Sequence, residues 1–170
     1  MTAARLRGLR GRLLPRGPLD AVPLCADPFV VLLQAGAPLT TRRRLVNTEE
    51  LARLPLIAHA PTREHVEEQL RAHGVEPRFV LEAETATAVQ GLVAAGLGAA
   101  VLPRLAADER RADTMLADLE PGVVAPRTIA AVWCRMQPSR SDAAAFVEAA
   151  RSACAGERLR EAQVPQPLAG

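Results

Sequence analysis

Few residues in this chain have side chains that could do chemistry. Three histidines are present, His59, His65 and His73. His65 and His73 lie too far apart to share one turn of a helix face, and no cysteine or carboxylate completes a ligand set, so no metal site is expected. His59 opens the run His59-Ala60-Pro61-Thr62-Arg63, where its ring either lines a cleft or belongs to surface or core. Cys25, Cys134 and Cys154 are odd in number and scattered, which argues against a disulfide framework. Cys134 follows an apolar strand and reads as a small hydrophobe rather than a nucleophile. Gly96-Leu97-Gly98 closes a helix and enters a strand, the reverse of the order that phosphate binding needs. No nucleophile, base and orienting group come together, so the chain is read as neither an enzyme nor a cofactor binder.

What remains are strand-to-helix junctions. A helix start offers free N–H groups and the positive end of the helix dipole, and two starts are legible, one at Thr62 and one at Thr85 or Thr87. A carboxylate at such a start gains about 0.3–2 kcal/mol, apart from hydrogen bonds from the hydroxyl and the backbone. Residue type alone favours the plainer reading, in which these threonines only cap their helices.

Those junctions need a scaffold. The 170 residues are 49% hydrophobic and 24% charged, the balance of a folded globular chain. Aromatics make up 2%, so Leu, Val and Ala must build the core and little is available for stacking on bases. All the basic residues other than histidine are arginine, and the net charge is +2. The one dense run, Arg42-Arg43-Arg44, fits a solvated loop better than a nucleic-acid face. The arginine-bearing stretch from Met1 to Arg16 lacks the apolar core of a signal peptide, and nothing approaches the ~18 apolar residues of a membrane span. A cytoplasmic location with no membrane contact is the expectation.

The order of elements is clear from Ala21 onward. Val22–Cys25 and Phe29–Leu33 read as short strands around Ala26-Asp27-Pro28, the second apolar on both faces. Asn47 and Glu50 form a capping-box pair ahead of a helix from Thr48 to Arg53. Pro55–Ala58 is a strand, and Thr62 can cap a helix from Arg63 to His73 that buries Val66 and Leu70 and ends at Gly74. Arg78–Ala83 is a strand, followed by a helix with Val89, Leu92 and Val93 on one face. Gly98–Leu102 is a buried strand, and Pro103 opens a helix from Arg104 to Glu109. Met115–Leu119 fits an edge strand, Arg127–Cys134 a further strand, and Phe146, Val147 and Ala150 face inward from a last helix. Alternating strands and helices indicate an α/β fold with mostly parallel strands.

Several of these segments, in order, resemble the effector-binding domain of LysR-type transcriptional regulators. They are Asp27–Leu39, Leu51–Ile57, Leu70–Pro77, Val89–Pro103 (the most specific) and Arg127–Trp133 with the Phe146 helix; together they span roughly residues 21 to 153. The resemblance implies a type 2 periplasmic-binding-protein-like fold, two α/β lobes joined by two crossing strands with a small molecule between them. On that pattern residues 1–20 are a leader or the remnant of a missing segment, and 21–34 are part of lobe one with the first crossing strand, Phe29–Gln34. Residues 35–126 are lobe two, 127–155 the return crossing and a lobe-one helix, and 156–170 a flexible tail.

The resemblance implies ligand contacts from His59, Ala60, Pro61 and Thr62. Gln34 and Ala35 would add to these from the first crossing, Ile129 and Ala130 from the return strand, and Thr85 more remotely. The partner it implies is a small-molecule effector, a small carboxylate by the chemistry of the helix start, together with a second copy of the chain. DNA would be reached only through a helix-turn-helix that these residues do not contain, so the chain reads as N-terminally truncated. Ala37 stands where the family commonly has histidine. Alternatives on the same scaffold are a transport-type solute-binding protein, for which no export signal is seen, and a gene fragment without function.

Overall fold

The computed structural model describes residues 19–37, 45–107, 111–134 and 144–154. The chain divides into two compact units, Ala26–Arg127 and a second one formed by Met1–Cys25 with Thr128–Gly170.

The larger unit is organised around a strand that is apolar on both faces. Residues Phe29 to Leu33 of β2 (Phe29–Gln34) are all buried. On one side β2 pairs antiparallel with β5 (Ala100–Pro103), Phe29 opposite Pro103. On the other it pairs antiparallel with the edge strand β6 (Thr114–Asp118), Val30 opposite Asp118. β3 (Leu56–His59) joins parallel to the residue ahead of β5 by a Leu56–Ala99 bridge. There the Ile57 N–H donates to the Ala99 carbonyl at 2.7 Å and the Ala99 N–H to the Pro55 carbonyl at 2.9 Å. β4 (Phe79–Ala83) lies parallel to β3 on its outer side. The sheet order is therefore β4-β3-β5-β2-β6, and only β2 runs against the rest.

Helices cover both faces, which is why β2 and β5 are apolar throughout rather than alternating with polar residues. On one face α1 (Thr48–Arg53) and α2 (Arg63–Ala72) bring Leu51, Val66 and Leu70 onto Phe29, Val31, Leu33 and Val101. On the other, α3 (Ala86–Ala94) sets Val89 and Val93 against Leu32, Ile57, Ala100 and Leu102. Each fully buried Leu or Val here is worth about 1.5–3 kcal/mol relative to exposure.

Helix ends follow local chemistry. Asn47 Oδ1 accepts from the Glu50 N–H at 2.9 Å while the Glu50 carboxylate accepts from the Asn47 N–H at 3.1 Å, the expected capping box. α2 closes at Gly74 (φ +74), whose N–H reaches the Arg71 carbonyl while the N–H of buried Val75 reaches that of Leu70. This is the double closure that a left-handed residue permits.

In the second unit β1 (Leu19–Asp27) pairs with β7 (Arg127–Cys134). Residues 144–154 are helical, with buried Val147 and an Arg151 side chain that donates to the Pro23 carbonyl at 3.5 Å. Phe146, expected to face inward, is 63% exposed. Val147 is the residue of that helix that its neighbours cover.

Two further expectations change. Phe29–Gln34, read as a crossing strand, lies in the middle of the larger unit's sheet. The residues at which the chain enters and leaves that unit are Ala26 and Arg127, in β1 and β7. The helix expected from Arg104 to Glu109 is a single 3-10 turn, Arg104–Ala106, with Ala107 already extended. Its first amides are taken from outside, by the Pro28 carbonyl and the Asp27 carboxylate. Most of the expected leader, residues 1–18, and the whole of the expected tail lie outside the described residues.

Two glycine substitutions separate backbone conformation from close approach. A Cβ on Gly98 would stand 2.7 Å from the Pro55 carbonyl oxygen, in the seam between β3 and β5, whereas one on Gly74 would meet nothing within 4 Å. Gly98→Ala is expected to cost about 1–3 kcal/mol from overpacking, and Gly74→Ala about 1 kcal/mol from its left-handed backbone. Urea unfolding would measure both; a Gly98→Ala variant as stable as the wild type would contradict this strand seam.

Candidate functional site

One edge of the larger unit's sheet carries two of its buried polar side chains, Asp27 and His59. The C-terminal ends of β3, β4 and β5 share this edge with the N-terminal end of β2, because β2 alone is reversed. The chain leaves β3 through His59 into a 3-10 turn, Ala60–Thr62, and then α2. It leaves β4 through Glu84 and Thr85 into α3, and β5 into the Arg104–Ala106 turn. Asp27 precedes β2 at the same edge.

Thr62 does not cap α2. It stands at the N-cap position with no side-chain bond to the first turn. Its Oγ1 lies 3.0 Å from His59 Nδ1 and 3.4 Å from the His59 carbonyl oxygen. The 3-10 turn with Pro61 near its start accounts for this, since it folds the hydroxyl back onto the residue that ends β3. Thr85 behaves as the plainer reading has it, accepting from the Ala88 N–H at 3.2 Å. The two threonines thus part company: one is spent on its helix, and the other braces a histidine.

His59 is only 9% exposed, and its Nε2 has no hydrogen-bond partner among the described residues. No buried side-chain nitrogen or oxygen among those residues is left unpartnered, so Nε2 reaches solvent. Burial and the Arg127 guanidinium lower the His59 pKa below 6.5, with Glu84 opposing them. His59 is therefore neutral near pH 7, with one ring nitrogen to donate and one to accept.

The most buried ion pair at this edge was not legible in the sequence. Asp27 is buried to 1% exposure. Its Oδ1 accepts from the Leu105 N–H at 3.0 Å and its Oδ2 from Arg127 Nε at 2.7 Å. Aspartate and arginine are a hundred positions apart, and no local spacing announces such a pair.

The residues proposed from sequence separate accordingly. His59, Ala60, Pro61, Thr62 and Thr85 share the edge just described. Gln34 and Ala35 lie at the opposite edge, because β2 is antiparallel to its neighbours. His59 is level with Val30 through the Leu56–Ala99 and Val30–Leu102 registers, and Gln34 is about 13 Å further along the strand at ~3.3 Å per residue. Gln34 instead donates through Nε2 to the Ala94 carbonyl at 3.1 Å, at the end of α3, and the Ala35 N–H donates to the Asp113 carbonyl at 3.0 Å. Ile129 and Ala130 are half-buried on β7 in the second unit. Among the described residues no group of His, Cys, Asp and Glu could hold a metal ion, and no helix is long and apolar enough to cross a membrane.

The depressed His59 pKa has a consequence for stability. Between the folded pKa and the unfolded value of 6.5 the unfolded chain binds more protons, so stability rises with pH through that window. The His59 contribution is complete above 6.5 and falls as the pH drops toward the folded pKa. His59→Gln should flatten this part of the curve in urea unfolding at pH 7.5 and 5.5; an unchanged slope would place His59 outside the buried, Arg127-facing setting described.

A family model described as the LysR substrate binding domain matches residues 8–155. An HTH-type transcriptional regulator of Mycobacterium tuberculosis is 33% identical over 123 residues, 68% of this chain and 39% of that protein. The chain thus spans about two fifths of the length of the curated relatives it matches. HinK, a LysR family regulator from Pseudomonas aeruginosa, superposes with a TM-score of 0.72 at 21% identity, over 85% of this chain and 51% of that one. The effector binding domain of QuiR in complex with shikimate gives 0.65 at 16% identity, over 82% and 66%. The type 2 periplasmic-binding-protein-like fold implied by the sequence is thereby established, and the chain belongs to the LysR substrate-binding domain family.

Proposed function

We propose that this chain is the effector-sensing part of a transcriptional regulator, and that a small molecule binds at the sheet edge carrying His59 and Thr62. The observation that carries this reading is the diverted Thr62 hydroxyl. It leaves the first turn of α2 without a side-chain acceptor and fixes His59 with Nε2 outward. A helix start without a side-chain cap, beside a braced, neutral histidine, suits a small carboxylate that also carries a hydroxyl or carbonyl. The QuiR domain is solved with shikimate, a molecule of that kind.

In this proposal Ala26–Arg127 corresponds to lobe two of the family fold. Ala60, Pro61 and Thr85 are peripheral to the site. Gln34 and Ala35 are not part of it. DNA is contacted through a helix-turn-helix outside these residues, the regulator works as a homo-oligomer in the cytoplasm, and ligand preference for one conformation supplies the signal. Coupling of this kind is typically about 1–3 kcal/mol.

A thermal-shift panel of small hydroxy- and keto-acids with their amides, run on the purified chain, tests this reading. A carboxylate at about 100 times its Kd should stabilise the chain by about 2.7 kcal/mol. Thr62→Val should weaken its binding by about tenfold, because it releases the His59 ring that Thr62 holds in place for its own hydrogen bond to the ligand. A panel in which nothing raises the midpoint, or a hit that Thr62→Val and His59→Ala leave untouched, would overturn the assignment.

A further inference from the structure

We propose that Arg127 is the residue of this edge that recognises the ligand's carboxylate, presented for that purpose by Asp27. The inference deepens the effector-site reading and rests on it. Asp27 does not take the guanidinium in the two-pronged manner usual for carboxylate–arginine pairs. Its Oδ2 accepts only from Nε, and its Oδ1 is committed to the Leu105 amide. The terminal nitrogens of Arg127 consequently have no hydrogen-bond partner among the described residues. The side chain is 36% exposed while the Asp27 side chain is wholly buried. A planar group fastened at its root and open at its fork is prepared for a bidentate anion.

The second observation is independent of that pair. His59 is nine-tenths buried, stands at the same edge, and keeps Nε2 unpartnered and solvent-facing. The charged groups that act on it are Arg127 and Glu84, and Arg127 is paired with Asp27. The Arg127 guanidinium, after burial, is what depresses the His59 pKa, so its charge is felt at the ring. A carboxylate on the fork would lie within the field that His59 feels. The same ring could then meet a hydroxyl or carbonyl elsewhere on the ligand.

His59 is therefore a built-in reporter, one of three histidines to resolve by NMR. Titrating the full chain with sodium acetate at constant ionic strength should raise the His59 midpoint as the Arg127 charge is neutralised. Acetamide should leave it in place. Because Arg127→Gln alone strands a buried carboxylate, it is paired with Asp27→Asn. In the folded double variant the His59 midpoint should start higher than in the wild type, and acetate should no longer move it. An acetate response that persists in the double variant, or that acetamide reproduces, overturns the proposal.

The two readings fail separately. A panel carboxylate that stabilises wild type and double variant equally, yet is weakened by Thr62→Val, removes Arg127 from the site and leaves the effector reading standing. A wild type that no small molecule stabilises removes the effector reading itself.

Discussion

The polar edge of the larger unit depends on one buried carboxylate. An ionised aspartate out of water is costly unless its oxygens are satisfied, and removing one partner of a buried pair commonly costs about 3–5 kcal/mol. Asp27 meets that condition with two partners distant in sequence, the Leu105 amide and Arg127 Nε. Three chain segments are thereby fixed to one another: the approach to β2, the turn after β5 and the start of β7. The Arg104 amide on the Pro28 carbonyl at 2.8 Å closes the same corner through the backbone.

The second constraint is the reversed strand. With β2 antiparallel inside an otherwise parallel sheet, its N-terminal end meets the C-terminal ends of β3, β4 and β5. In open α/β sheets ligands bind outside the carboxyl ends of the strands. Here the reversal adds Asp27, and through it Arg127, to the edge that carries His59, Thr62 and Thr85. The residues at which the chain enters and leaves the larger unit, Ala26 and Arg127, flank the same corner, so the point of passage and the proposed recognition group coincide in sequence.

Much of the scaffold was legible because its signals are local. The Asn47/Glu50 box, the Val66–Leu70 stripe, Gly74 with Val75 behind it and the unbroken apolar runs of β2 and β5 each depend on neighbours within a few residues, and each forms as read. The direction of β2 was not legible. A strand buried on both faces gives no sign of which way it runs, and that is why the sequence does not show that Gln34 and Ala35 lie at the edge opposite His59. Thr62 was legible as a special position but not in its role, because the competition between capping α2 and bracing His59 is decided by the Pro61 turn geometry. The Asp27–Arg127 pair left no trace in spacing, since each residue reads locally as a strand end beside a proline.

A buried pair that orders three segments should show coupling rather than independent contributions. A double-mutant cycle of Asp27→Asn and Arg127→Gln, followed by urea unfolding at pH 7.5, measures this directly. Arg127→Gln alone should be the most damaging change, because it strands the carboxylate. The double variant should be more stable than the sum of the single effects by about 1.5 kcal/mol or more. Effects that add to within about 0.5 kcal/mol would mean that the two side chains act independently and that this corner is held by something else.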